Sequence, residues 1–241
     1  RGAATALPIN AFDWRTLTIR RAVIDADRFQ LVTEVPNVLD IRAAPDGMVD
    51  AELRAGWSRT ASAVLRHPLG PLPLARPLAY VEAWIVGGAS VGLVTTRVPG
   101  TAVAATPPYP QAHVGWFSST IGYHGDDGRI YRADQTGRRF GPAFGFDPAR
   151  VYRNAGSDVP RQPDVVGVGV ERGSDGREQA FFTKNAALVG AVPLPDGPKN
   201  GRVIHRFFAF ALDAEHDYAS VNGGSARFYF DLEAYSQQPP H

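Results

Sequence analysis

The stretch DVVGVGVERGSDGREQAFFTKNAALVGAV, residues 164–192, decides the fold class. Its branched and aromatic residues fall in short runs, DVVGVGVE (Asp164–Glu171), QAFFTKN (Gln179–Asn185) and AALVGAV (Ala186–Val192), with no apolar period of 3.6 residues carried across them. Ser174-Asp175-Gly176 separates the first two runs, and Asp-Gly is a hairpin signal because both central positions of a type I′ turn need positive φ. The stretch therefore reads as antiparallel strands joined by tight turns. GVGVERG (Gly167–Gly173) resembles a phosphate-binding loop only superficially. It lies inside a strand and opens no helix, so its glycines mark places where the strand lies tightly under its neighbours.

The same texture extends in both directions. FQLVTEV (Phe29–Val35), VLDIRA (Val38–Ala43), TASAVLR (Thr60–Arg66), LAYVEAWIV (Leu78–Val86), SVGLVTT (Ser90–Thr96), STIGYH (Ser119–His124) and RIYRA (Arg129–Ala133) precede it. HRFFAFALD (His205–Asp213), YASVNG (Tyr218–Gly223) and ARFYFDLE (Ala226–Glu233) follow. With 25 Gly and 20 Pro breaking up every candidate helix, these runs predict an all-β fold of two stacked antiparallel sheets. In LAYVEAWIV, Tyr80, Glu82, Trp84 and Val86 share one face and Val81, Ala83 and Ile85 the other, which predicts a central strand covered on both sides. Asp127-Gly128 predicts a second type I′ hairpin. The Pro-rich pieces 67–77 and 97–110 and the segment Phe144–Pro163 read as surface connections.

Bulk numbers exclude several function classes. A chain of 241 residues, 44% hydrophobic, closes one core, with residues 1–19 as an extension, 20–235 as the sandwich and 236–241 as a tail. Lys and Arg number 25 against 24 Asp and Glu, so no net field gathers phosphate backbones, and nucleic acid is not an expected partner. The absence of cysteine excludes disulfides, thiolate catalysis and Cys-based zinc sites. No apolar run nears the roughly 20 residues that span a bilayer, so the expectation is a soluble protein without membrane insertion.

With the strand order in place, several phrases together resemble the SPRY domain, the β-sandwich also found in B30.2 modules. AVLRHPLGP (63–71) leading into AYVEAWIVGG (79–88) is similar to the family's opening. VGWFSSTIGYHGDDGRIY (114–131) and RRFGPAFG (138–145) resemble the Ran-binding-protein branch. DVVGVGVE with FFTKNAALVG, and VNGGSARFYFDL (221–232), resemble its later strands. The likeness is strong from about Tyr80 to Leu232. Departures are Asn185-Ala186 in place of Asn-Gly, which predicts a rebuilt turn, the long segment Phe144–Pro163, and FFAFAL in place of a Pro-Thr-Val-Gly. The resemblance implies a concanavalin-like jelly roll that binds a protein or peptide partner through loops at one end. It also implies an intracellular adaptor or scaffold, cytoplasmic or nuclear, with a substrate-receptor role in a ubiquitin ligase assembly by analogy.

Among chemistry-bearing residues, His124, Asp126 and Asp127 invite an acid/base or metal reading. No ligand spacing accompanies them, and the histidines at 67, 113, 124, 205, 216 and 241 are scattered. No GxSxG turn supplies a nucleophile. The expectation is no catalytic residue, no metal, no cofactor and no small-molecule substrate. Trp84, Trp116, Phe181, Phe182, Phe228 and Phe230 read as core. Partner contact is assigned to Tyr109, stiffened by the prolines of TPPYP (106–110), and to Asp126, Arg129, Arg138 and Arg139. Two other readings stay open: a structural subunit of a large complex, and a carbohydrate-binding or hydrolytic jelly roll using Asp126, Asp127 and His124.

Overall fold

The computed structural model describes residues 31–32, 39–44, 46–56, 60–65, 69–70, 74, 78–96, 112–116, 119–133, 136–145, 163–194, 204–214 and 217–239. Tyr109, the 1–19 extension, the 97–110 connection and residues 146–162 of the long segment lie outside them. Among the described residues, two antiparallel seven-stranded sheets stack face to face.

The first sheet is built from β1 (Leu31–Val32), β4 (Ala61–Leu65), β13 (His205–Leu212), β6 (Ala89–Thr96), β7 (Thr120–His124), β8 (Arg129–Arg132) and β9 (Arg138–Arg139), in that spatial order. The second runs β12 (Ala187–Pro193), β11 (Glu178–Lys184), β10 (Asp164–Arg172), β5 (Leu78–Val86), β14 (Tyr218–Asn222), β3 (Val49–Leu53) and β2 (Leu39–Ala43). The core between them follows strand alternation. Val91, Leu93, Ile121, Tyr123, Phe208 and Phe210 from one sheet meet Val81, Ile85, Val166, Val168 and Phe182 from the other.

Strand β5 lies between β10 and β14, as its two covered faces require. Its inner residues Val81, Ala83 and Ile85 enter the core, and Tyr80 on the outer face packs with Phe181, Phe230, Leu232 and Tyr235. The glycines of β10 are there for close approach. A Cβ on Gly167 would strike the Tyr80 hydroxyl, and one on Gly169 the Phe181 ring. Glu82 is buried on the same outer face, where both carboxylate oxygens accept from Tyr229 N at 2.9 Å, and burial pushes its pKa up to about 7.

Four sequence expectations need correction. ARFYFDLE is not a strand: 226–230 is irregular, and α1 (Leu232–Ser236) follows, capped by Asp231, whose Oδ1 accepts from Ala234 N at 3.0 Å. The reason is Asn222. Its Oδ1 accepts from Gly224 N and Ala226 N, while its Nδ2 donates to Ala226 O, so the side chain occupies backbone groups a ladder would use. The Asp127-Gly128 and Asp175-Gly176 turns are not type I′, since φ is positive only at Gly128 (68°) and Gly176 (78°). Each aspartate instead accepts from the amide two residues on, Arg129 N and Arg177 N, both at 2.9 Å. Strand β3 was not among the sequence runs, because VDAEL puts charge on the outer face and leaves only Val49, Ala51 and Leu53 to face inward.

The turn at Asn185-Ala186 is not rebuilt. Both residues adopt positive φ, 48° and 66°, so the hairpin keeps its tight geometry with an alanine in the left-handed region. Asn185 is held there by β10: its Oδ1 accepts from Val165 N at 2.8 Å, and its Nδ2 donates to Asp164 Oδ1 at 2.7 Å. Left-handed backbone at a residue with a Cβ costs about 1 kcal/mol. The substitution Ala186→Gly is therefore expected to stabilise the protein by about 1 kcal/mol, read as a higher denaturation midpoint with an unchanged slope.

Candidate functional site

The rim of the first sheet, from β6 to β9, carries Asp126, Arg129, Arg138 and Arg139, four of the five residues singled out for partner contact, and its geometry begins with a glycine. The outer face of this sheet bears Val64, Val94, Phe207, Ala209 and Ala211, and the segment 112–116 crosses it as a strap whose Val114 completes that cluster. The strap can lie this low because Gly122 has no side chain. A Cβ there would collide with the carbonyl of Val114. Two side-chain oxygens then take up strap amides: Val114 N donates to Ser90 Oγ at 3.1 Å and Gly115 N to Thr120 Oγ1 at 3.0 Å.

His124 fastens the strap from below. Its ring is buried, and Nε2 lies 2.7 Å from Val114 O, which makes Nε2 the protonated nitrogen of a neutral ring. Burial pushes its pKa down to about 4, more than the Val114 carbonyl raises it. His124 is thus not assembled with Asp126 and Asp127 as an open acid/base set. Asp127 is committed to the turn, accepting from Arg129 N and, at 2.7 Å, from the Tyr131 hydroxyl. No group of three or more His, Cys, Asp or Glu side chains among the described residues could hold a metal ion.

Trp116 is not a core residue. Gly115, at φ 101°, turns the chain after Val114, and the indole comes out 38% exposed. It packs edge-on to His113 at 4.6 Å, with His124 at 5.7 Å and Tyr131 at 6.3 Å. His113 reaches from this ring cluster to the opposite turn, with Nε2 3.1 Å from Asp213 Oδ1 and Nδ1 3.2 Å from Ser90 Oγ. Asp217 braces that turn by accepting from Ala214 N at 2.8 Å, and burial pushes its pKa up to about 6. Sequence reasoning missed Trp116, His113 and Asp213. The one available signal was Gly115 next to Trp116, which breaks the alternation that buries an aromatic side chain.

Of the residues assigned to partner contact, the structure gathers Asp126, Arg129, Arg138 and Arg139 around the β7–β8 hairpin and the edge strand β9, all of them exposed. They do not form one patch. Arg139 pairs directly with Arg129, so these two guanidiniums share the outer face, and Asp127 Oδ2 lies 3.6 Å from Arg129 Nε. Arg138 pairs with Ile130, whose side chain enters the core, and so falls on the other face. A charge pointing inward at a sheet edge also guards that edge against strand addition.

No family model matches the chain. Its sequence is similar to the Ran-binding protein M homolog of Arabidopsis thaliana, 35% identical over 121 residues, 50% of this chain and 21% of that protein. It is also similar to SPRY domain-containing protein 3 of Homo sapiens, 34% identical over 131 residues, 52% of this chain and 24% of that protein. The chain thus spans about a quarter or less of the length of these relatives. In fold it matches the crystal structure of a human SPRY domain with a TM-score of 0.51 at 23% identity, covering 78% of this chain and 97% of that one.

The neutral, buried His124 gives the strap a pH dependence whose sign is fixed. Its folded pKa lies below the ordinary value of 6.5, so the proton favours the unfolded chain. The stability it contributes is complete above about pH 6.5 and is lost as pH falls through about 4. The His124 contribution alone falls by on the order of 2 kcal/mol over that window, while Glu82 and Asp217, whose pKa values burial raises to about 7 and about 6, act in the opposite direction. The stability of the wild type minus that of His124→Gln, which cancels the two carboxyls, is therefore expected to fall by that amount in denaturation curves taken from pH 7 to pH 4.

Proposed function

We propose that this chain, which carries a SPRY β-sandwich and is related in sequence to Ran-binding proteins, is a non-catalytic protein-interaction module that grips a protein or peptide partner with the rim around the β7–β8 hairpin. One observation carries the reading: Asp126, Arg129, Arg138 and Arg139 present charged, exposed side chains from a hairpin and edge strand that a packed sheet holds rigid. Guanidiniums so placed suit acidic side chains of a partner through paired, charge-assisted hydrogen bonds. The name of one relative, Ran-binding protein M homolog, supports a protein as the partner. Tyr109, which lies outside the described residues, belongs to the same proposal as an aromatic contact.

An adaptor or scaffold role, including service as a substrate receptor in a ubiquitin ligase assembly, extends this reading and is supported by family likeness alone. Among the described residues no helix is long and apolar enough to cross a membrane. The hydrolytic reading is less well supported, because the His124 ring is buried and its Nε2 is bonded to the Val114 carbonyl.

The test is affinity capture by the full chain from extracts of its own cells, followed by binding measurements on the captured partner. Alanine at Tyr109, Arg138 or Arg139 is expected to weaken that partner at least about fivefold, with the thermal midpoint of the chain retained. Capture indifferent to all three substitutions would remove these residues from the interface, and no captured polypeptide would overturn the module reading.

A further inference from the structure

We propose that the surface around Trp116 receives a cationic side chain, an arginine or lysine of the partner polypeptide, with Asp126, Asp127 and Asp213 as its counter-charges. This rests on the binding-module reading and names the partner chemistry at one place on the rim.

The first ground is the preparation of the indole. Trp116 is one of three large apolar residues exposed among those described, with Leu188 and Tyr229, and of the three it alone is held in a cluster of rings. His113 at 64° and Tyr131 at 68° meet it edge-on, and Trp116 N donates to His113 O at 3.2 Å. Little ordering remains to be done when a ligand arrives. Indole is also the aromatic surface that a cation prefers.

Charge decides what that surface takes. Asp126 is exposed, makes no hydrogen bond or ion pair with a described residue, and lies close enough for its charge to act on His124, Tyr131 and Asp213 alike. Asp127 stands beside it, bonded to the Tyr131 hydroxyl, and Asp213 is bonded to His113. Among the described residues, those in direct contact with these three carboxylates are one guanidinium, Arg129 at 3.6 Å from Asp127, and one imidazole, His113. His124 is neutral. Asp213 is half-buried, and burial raises its pKa against the lowering effect of the His113 charge and the Thr60 hydrogen bond, with a smaller raising contribution from the charge of Asp126. Two carboxylates that disfavour each other's charge are relieved by a cation between them. A metal ion is poorly served, since no three ligating groups gather. A guanidinium or ammonium, which needs a ring face and dispersed carboxylates, is well served.

The experiment uses the full chain with 15N-labelled tryptophan and follows the indole N–H signal that disappears in Trp116→Phe. The probes are the capped tripeptide Ac-Gly-Arg-Gly-amide and its citrulline counterpart, which has the same shape without the charge. The arginine peptide is expected to shift the Trp116 signal saturably and the citrulline peptide to leave it in place. Asp126→Asn, at an exposed turn position, is expected to weaken the arginine peptide by about threefold. Equal shifts from both peptides, or an Asp126→Asn chain that binds as before, would overturn the proposal. An unmoved Trp116 signal while partner capture still responds to Arg138 or Arg139 overturns this inference and leaves the module reading standing; loss of both responses overturns both.

Discussion

The missing side chain of Gly122 is the constraint on which the face crossed by the strap depends. Because that position is empty, the backbone of 112–116 descends onto the first sheet, Val114 enters a cluster with Val64, Val94 and Phe207, and its carbonyl comes within reach of His124. The placement of the aromatic cluster follows from that descent. Gly115 turns the chain outward, Trp116 emerges beside Tyr131, and His113 is carried across to Asp213. The strap spans a sheet that is itself rigid, since the other faces of β6, β7 and β13 fill the core with Leu93, Tyr123, Phe208 and Phe210.

The second sheet solves the opposite problem. Its outer face is apolar around Tyr80 and Phe181, and the C-terminal segment covers it with Phe230, Leu232 and Tyr235. Glu82 is the polar anchor of that cover, accepting from Tyr229 N and Asn222 Nδ2. A buried carboxylate is costly without donors, and here one donor, Tyr229 N, belongs to the segment that must be held, while the other, Asn222 Nδ2, comes from β14. The two outer faces differ: one is covered by the chain's own segment around Phe230, Leu232 and Tyr235, and the other is crossed by a strap that leaves an indole and several charges at the surface.

Most of the architecture was legible because strand alternation and turn chemistry are local. LAYVEAWIV showed two covered faces, and β5 is central; DVVGVGVE and QAFFTKN paired as a hairpin through Asp175-Gly176. The errors arose where side chains bond to backbone over a distance that period and propensity do not register. Asn222 and Asp231 converted an apparent final strand, ARFYFDLE, into a bend and a helix. Asn185, bonded to β10, held Ala186 in a conformation that alanine alone would avoid. The charged rim residues were found by composition, but their division was not: the pairing of Arg139 with Arg129 and of Arg138 with Ile130 is a matter of register. Trp116 was misread because burial statistics favour a tryptophan inside, and only the positive φ of Gly115 brings it out.

On the binding-module proposal, the chain needs a stiff surface more than a reactive one. The strap supplies that stiffness, and His124, the residue most suggestive of catalysis in the sequence, contributes a neutral N–H to it. Amide hydrogen exchange at Val114 and Gly115 tests this most directly, since their N–H groups are bonded to Ser90 Oγ and Thr120 Oγ1. The strap should protect both amides to the level of Ile121 and Tyr123 in β7. Exchange of Val114 and Gly115 at the rate of an open loop, with β7 still protected, would contradict the claim that this segment is fixed to the sheet.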